Sequence, residues 1–230
     1  MPISIIGLDA DDTLWHNETI FRMTHARFNE LLGDFAEPEA IEAHQAAVER
    51  RNLTIYGYGA KGFTLSMLET ALEVSDRRVP AEVLAEILSA GREMMRHPIE
   101  PLPGVEDALE TLAGRAKLVL ITKGDLFHQE QKLAASGLGS FFSGVEIVSE
   151  KTADVYARIF ARHDAAENAV MAGNSVRSDV LPALEAGSWA ALIPYPLVWA
   201  HEAADAPADH PRFAELSALG ELADWIEGIG

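Results

Sequence analysis

Five short runs of β-branched and aliphatic residues punctuate this chain, and each stops near a Gly, Asp, Thr or Asn before a helical pattern takes over. They are Ile3 to Leu8, Lys117 to Thr122, Gly144 to Ser149, Asn168 to Gly173 and Trp189 to Pro194. Runs that are apolar at nearly every position have no face to give to water, so they read as strands of a parallel sheet covered by helices on both sides. The fold class that follows is α/β, a doubly wound, mostly parallel sheet. Such sheets bind their ligands beyond the carboxyl ends of the strands, so the chemistry is expected there.

One interval breaks the rhythm. Residues 9–116 contain no convincing strand and instead carry helical periodicity. Ile20, Phe21, Phe28, Leu31 and Leu32 fall at helical spacing, and Gly33 ends the pattern. Further amphipathic stretches run from about Pro38 to Arg51, Thr64 to Val74 and Pro80 to Met95. The chain returns through Pro101 and Pro103 to an apolar stripe of Val105, Leu109 and Leu112. The expected organisation is a small helical domain, residues 15–97, inserted after the first strand of an α/β domain made of residues 1–14 and 98–230.

Charge and composition remove several function classes. Eighteen Lys and Arg face 36 Asp and Glu, a net charge of −18, which repels nucleic-acid backbones and anionic membranes. The absence of cysteine excludes a thiol nucleophile, a zinc–thiolate centre and a disulfide framework, and suits a reducing cytoplasm. The start MPISIIGLDADD has neither the basic residues nor the cleavage pattern of a signal peptide, and no stretch approaches the ~18 apolar residues of a membrane span. The expectation is a cytoplasmic protein with neither nucleic acid nor membrane as partner. Its oligomeric state is left open.

The first strand runs straight into Asp9, Asp11 and Asp12, followed by Thr13. Single Asp residues often cap turns or helices. Three carboxylates in four residues at the end of a buried strand repel one another, and a cation is the simplest remedy. The sequence DADDT after an apolar strand resembles the first motif, DxDxT, of the haloacid dehalogenase-like hydrolase superfamily. The other motifs of that superfamily have counterparts in order. Thr122 ends the second strand and is followed by Lys123 and Gly124, Lys151 precedes a helix, and Gly173, Asn174 and Asp179 match the acidic fourth motif. In the resembling proteins the helical insert is a mobile cap, and the sheet domain is Rossmann-like.

Phosphoryl transfer needs an in-line nucleophile and positive charge on the equatorial oxygens. The resemblance implies that Asp9 attacks and forms an aspartyl phosphate. Asp11 then protonates the leaving oxygen and later deprotonates water, a role that calls for a raised pKa, which crowding by its neighbours favours. The implied cofactor is Mg²⁺, held by the Asp9 carboxylate, the Asp11 backbone carbonyl, and Asn174 and Asp179. Thr122, with backbone N–H groups around Lys123 and Gly124, is placed to bind the phosphoryl oxygens. Lys151 neutralises Asp9 and the transferring group.

Asn174 departs from the commoner pattern, which has an Asp there, and so removes one negative charge from the metal site. Asp179 has two open readings, a metal ligand or a group that orients Lys151. The segment Ile55 to Phe63 breaks the insert with Gly57, Gly59 and Gly62, and its Tyr58 and Lys61 are candidates for substrate contact, against the plainer reading of an interhelical loop. The histidines lack metal-binding spacing, and His16 reads either as a pocket-mouth residue or as a solvated one.

The function expected from this set is a Mg²⁺-dependent phosphatase acting on a small phosphorylated metabolite. A phosphomutase on the same scaffold and a non-catalytic phosphate- or metal-binding regulatory module remain as alternatives. Asp11 argues against dehalogenation, since attack at carbon needs no acid for a phosphate ester's leaving oxygen.

Overall fold

The computed structural model describes residues 3–165, 168–197, 199 and 202–229 of the chain. Its contacts divide into two compact units, one of residues 1–18, 99–123 and 129–230, the other of residues 19–98 with 124–128.

The first unit is built on a six-stranded sheet in the order β3-β2-β1-β4-β5-β6. The strands are β1 (Ile5–Leu8), β2 (Lys117–Lys123), β3 (Gly144–Val148), β4 (Ala169–Gly173), β5 (Trp189–Leu192) and β6 (Phe213–Glu215). Every pairing is parallel, including β5 with β6. The sheet is therefore wholly parallel, and its edge strand β6 is not among the five runs read from the sequence. Between β5 and β6, positions 198, 200 and 201 lie outside the described residues.

Alternation along the strands fills two cores. Ile6 and Leu8 of β1, Leu118 and Leu120 of β2 and Val170 and Ala172 of β4 pack with α5 (Val105–Ala113) and α9 (Leu222–Ile229). On the other face Ile5, Val119, Ile121, Ala169 and Met171 meet Tyr156, Ile159 and Phe160 of α7 (Ala153–Arg162), together with Ala183 of α8 (Leu181–Glu185). Both faces being dry explains why these strands are apolar at successive positions. Buried strands of this kind also fix register, because a slip by one residue exchanges the two faces.

The second unit is helical, with α1 (Glu18–Leu32) from Thr19 onward, α2 (Pro38–Tyr56), α3 (Ala60–Val74) and α4 (Ala81–Arg96). Phe28, Leu32, Ile41, Met67, Ala71, Val79 and Ile87 make its core. The helices follow the sequence periodicity, with one correction. The glycine-rich break is confined to Gly57 (φ 71°) and Gly59 (φ 103°), where the left-handed backbone favours glycine. Gly62 instead lies buried within α3. Among the described residues no helix is long and apolar enough to cross a membrane.

Candidate active site

The strand order reverses at β1, which has β2 on one side and β4 on the other. Leu8 pairs with Leu120 and with Ala172, so Asp9 leaves the sheet between the carboxyl ends of β2 and β4. Its N–H donates to the Ala172 carbonyl at 3.0 Å. At Gly173 a side chain would overlap the Asp179 carboxylate and place its Cβ 2.9 Å from the Cβ of Asp9. Glycine is what lets the ends of β1 and β4 come this close.

Asp9 is 6% exposed. Lys151 Nζ donates to its Oδ1 at 2.5 Å, and Thr13 Oγ1 donates to its Oδ2 at 3.1 Å. Burial pushes the Asp9 carboxyl up to about 7, with Lys151 opposing the shift and Asp179 adding to it. Lys151 also donates to Asp179 Oδ1 at 2.7 Å. Burial alone would lower the Lys151 ammonium, but Asp179 and Asp9 outweigh it and hold the pKa above its ordinary value.

Asp179 lies within a π-helical turn, Val176–Val180, that wraps back toward β4. Its Oδ2 accepts from the Ser175 N–H at 2.9 Å, while Oδ1 holds Lys151. This last contact is the one expected of a group that orients Lys151. The Asn174 amide is assigned with its NH₂ donating to Asp9 Oδ2 and to the Asp11 backbone carbonyl, 3.2 Å from each.

Asp11 departs from expectation. Its carboxylate takes Lys132 Nζ on Oδ1 at 2.5 Å and on Oδ2 at 2.7 Å. Trp15 Nε1 adds a bond at 2.7 Å and Gln129 Nε2 another at 3.2 Å. Burial works to raise its pKa, but Lys132 and the other donors win and hold it below the ordinary value. The anticipated crowding by Asp9 and Asp12 is outweighed by a cation that the linear sequence does not place nearby.

Asp12 has the plainer role of a cap. Its carboxylate accepts from the N–H of Asn17 at 2.8 Å and of Glu18 at 2.9 Å, at the first turn of α1. It does so from a left-handed conformation, φ 60°, which Asp tolerates better than most residues. Burial raises its carboxyl to about 7. Asp12→Ala is expected to cost ~1–2 kcal/mol in denaturant unfolding, with Asp12→Asn, which keeps the acceptor, costing less than half as much.

Thr122, 1% exposed at the end of β2, accepts from Gln129 Nε2 at 2.6 Å, which leaves its own O–H to donate elsewhere. Gly124 follows at φ 144°. The Lys123 side chain is engaged by Ser178 Oγ at 2.8 Å and Glu202 Oε1 at 2.5 Å. Glu202 Oε2 in turn accepts from the hydroxyls of Ser175 and Ser178, each at 2.5 Å. Burial would raise the Glu202 carboxyl, but Lys123 and the two serines hold it low.

Tyr58 and Lys61 belong to the helical unit. Lys61 donates to Asp125 Oδ1 at 2.8 Å and lies 5.6 Å from the centre of the Phe127 ring, both partners being in the same unit. His16 Nδ1 lies 2.7 Å from Tyr195 Oη.

Sequence reasoning missed Lys132, Gln129, Trp15 and Glu202. The one signal for the first pair is a polar Gln and Lys three residues apart in α6 (Leu126–Ser136), on a turn that is buried.

The parallel sheet agrees with the fold of similar proteins. A model of the haloacid dehalogenase-like hydrolases matches residues 3–187. The chain belongs to that family. A haloacid dehalogenase-like family hydrolase from Xanthomonas campestris is 42% identical, with a TM-score of 0.89 over 99% of this chain and 91% of its own. The magnesium-bound HAD hydrolase YfnB of Bacillus subtilis is 17% identical, with a TM-score of 0.67 over 98% of this chain and 99% of its own. The L-2-haloacid dehalogenase of Xanthobacter autotrophicus, solved with chloropropionic acid covalently bound, is 16% identical, with a TM-score of 0.66 over 99% of this chain and 100% of its own. The last two share the fold. A search of curated proteins gave no match.

Proposed function

We propose that the chain is a Mg²⁺-dependent phosphatase that hydrolyses a small phosphorylated metabolite through a phosphorylated Asp9. The observation that carries this reading is the second carboxylate, Asp11, two residues after the buried Asp9 and joined through the Gln129 amide to Thr122. A hydrolase that attacks carbon has no use for an acid in that place, whereas a phosphate ester's departing oxygen needs a proton.

The donor set suits a hard divalent cation. Asp9 Oδ2 and the Asp11 carbonyl lie 3.2 Å from the same Asn174 amide atom, and a half-turn of that amide would present its oxygen beside theirs. Asp9 and Asp179 are two buried carboxyl groups that share the single ammonium of Lys151. Among the described residues no cluster of three or more His, Cys, Asp and Glu side chains is arranged to hold a metal, so the backbone carbonyl and Asn174 are essential to the set. When bound, the ion supplies charge that offsets the incoming phosphate and favours ionised Asp9.

The chain's own residues do the rest. Asp9 Oδ1 attacks phosphorus while the bond to the leaving oxygen breaks, and Asp11, which has to take up a proton beforehand against the pull of Lys132, gives that oxygen the proton. Water then attacks the aspartyl phosphate, its proton passes to Asp11, and inorganic phosphate leaves with Asp9 restored. Lys151 and the Thr122 hydroxyl bind the phosphoryl oxygens as their charge redistributes.

The test is p-nitrophenyl phosphate hydrolysis by purified protein with Mg²⁺ and with EDTA, followed by a panel of phosphorylated metabolites. The expected result is phosphate release that falls at least ~10²-fold in EDTA and returns with added Mg²⁺. Isomerisation of a sugar phosphate with no net phosphate release would replace this reading with a phosphomutase. Chloride release from 2-chloropropionate, with no phosphate ester turned over, would replace it with a dehalogenase. Inactivity on every ester and halide offered would leave a binding module.

A further inference from the structure

The structure assigns Lys132 as a positioning residue, one that aims the Asp11 carboxylate at the leaving group. This assignment rests on the phosphatase reading. Lysine is among the residues least often buried, because its ammonium loses hydration and its long chain loses rotamer freedom. Lys132 is nonetheless only 6% exposed. What it gains there is visible, since Nζ spans both oxygens of Asp11 at 2.5 and 2.7 Å and also reaches Asn17 Oδ1 at 3.2 Å.

One turn earlier on the same face of α6, Gln129 is 3% exposed, and its amide nitrogen donates to Asp11 Oδ2 at 3.2 Å and Thr122 Oγ1 at 2.6 Å. Trp15 Nε1 closes the ring on Asp11 Oδ1 at 2.7 Å. Four contacts from three side chains hold this carboxylate, so its plane is fixed rather than free to rotate, and one of them gives way when Asp11 carries the proton it donates. Three of those contacts come from α6, and Gln129 also touches the residue expected to hold the phosphoryl group. The helix therefore sets where Asp11 stands relative to that group.

A lysine that merely stabilised the fold would, when removed, slow all substrates alike. A lysine that aims the acid matters most where the leaving oxygen is a poor one. An alkoxide cannot depart without its proton, whereas p-nitrophenolate can.

The experiment compares wild type, Lys132→Met and Lys132→Arg on glycerol 3-phosphate and p-nitrophenyl phosphate, with circular dichroism and thermal unfolding to confirm folding. The expected result for Lys132→Met is a kcat lower by ~10²-fold on the alkyl ester, at nearly unchanged KM, with less than ~5-fold loss on the aryl ester. Lys132→Arg keeps the charge but moves the donors, and is expected to show the same selectivity at smaller size. If Lys132→Met does not fold, Lys132→Arg decides alone. Equal losses on both esters, or none, would overturn the assignment while leaving the phosphatase intact. Wild-type protein inactive on both esters and on the metabolite panel would mark failure of the phosphatase reading itself.

Discussion

Asp9→Asn is expected to lower phosphate-ester turnover by at least ~10³-fold while leaving the fold in place. The amide has nearly the same shape as the carboxylate, so the close approach at Gly173 is undisturbed. What it lacks is the negative oxygen that attacks phosphorus and the charge that pairs with Lys151 at 2.5 Å. Phosphate release by the variant, together with trapping of acid-stable phosphoenzyme in the wild type alone, checks the role. Turnover within tenfold of wild type would remove Asp9 as nucleophile.

The same substitution has a signed effect on stability. In the folded chain burial raises the Asp9 carboxyl from 3.8 to about 7. The unfolded state therefore binds fewer protons than the folded state between those values, and this group's contribution declines as pH rises through that window. Asn has no such dependence. In EDTA, the thermal midpoint of Asp9→Asn relative to wild type is expected to rise as pH goes from about 4 to about 7 and then level off. A flat difference across that range would mean that Asp9 keeps an ordinary pKa.

How far the sequence could be read depended on whether a residue's role lies in its neighbours along the chain or across the fold. Strands β1, β2, β4 and β5 were legible because both of their faces are dry, which writes a continuous apolar run, and the edge strand β3 was legible from Val145, Ile147 and Val148 although it is partly exposed. Strand β6 was not, since three residues, Phe213–Glu215, are too few to display any period and belong to an edge. Asp9, Thr122, Asn174 and Asp179 stand directly at or just past strand ends, where an α/β sheet concentrates its chemistry, and Lys151 stands just before α7.

Lys132 and Gln129 carried no such marker. In LFHQEQKLAAS they look like the polar side of an ordinary helix, and only the position of the Asp11 carboxylate explains their burial. Neglect of that lysine is also why Asp11 was expected to titrate high. The local acids argue for a raised pKa, and the cation that overrides them arrives from 121 residues away. Glu202 was invisible for the same reason, as its partners Lys123, Ser175 and Ser178 come from distant parts of the chain.

Lys151→Met probes the most deeply buried charge group of the site. Lys151 and its partners Asp9 and Asp179 have side chains 2%, 9% and 1% exposed. Removing the cation leaves two carboxylates facing each other without hydration, and breaking a buried pair in this way typically costs ~3–5 kcal/mol. Activity is expected to fall by at least ~10²-fold as well, because the developing charge on the phosphoryl oxygens loses its fixed counterion. Lys151 is what opposes the upward shift of the Asp9 carboxyl, so in its absence that carboxyl titrates higher still. Protonation then relieves the repulsion at low pH, and the deficit grows as pH rises, being larger near pH 8 than near pH 5 in EDTA. Adding Asp179→Asn to Lys151→Met removes one of the two stranded charges and is expected to recover most of the stability near pH 8 but none of the activity. Denaturant unfolding of the single and double variants at both pH values separates these effects. A deficit independent of pH and untouched by Asp179→Asn would mean that the loss comes from packing around the lysine stem and not from the charges it holds apart.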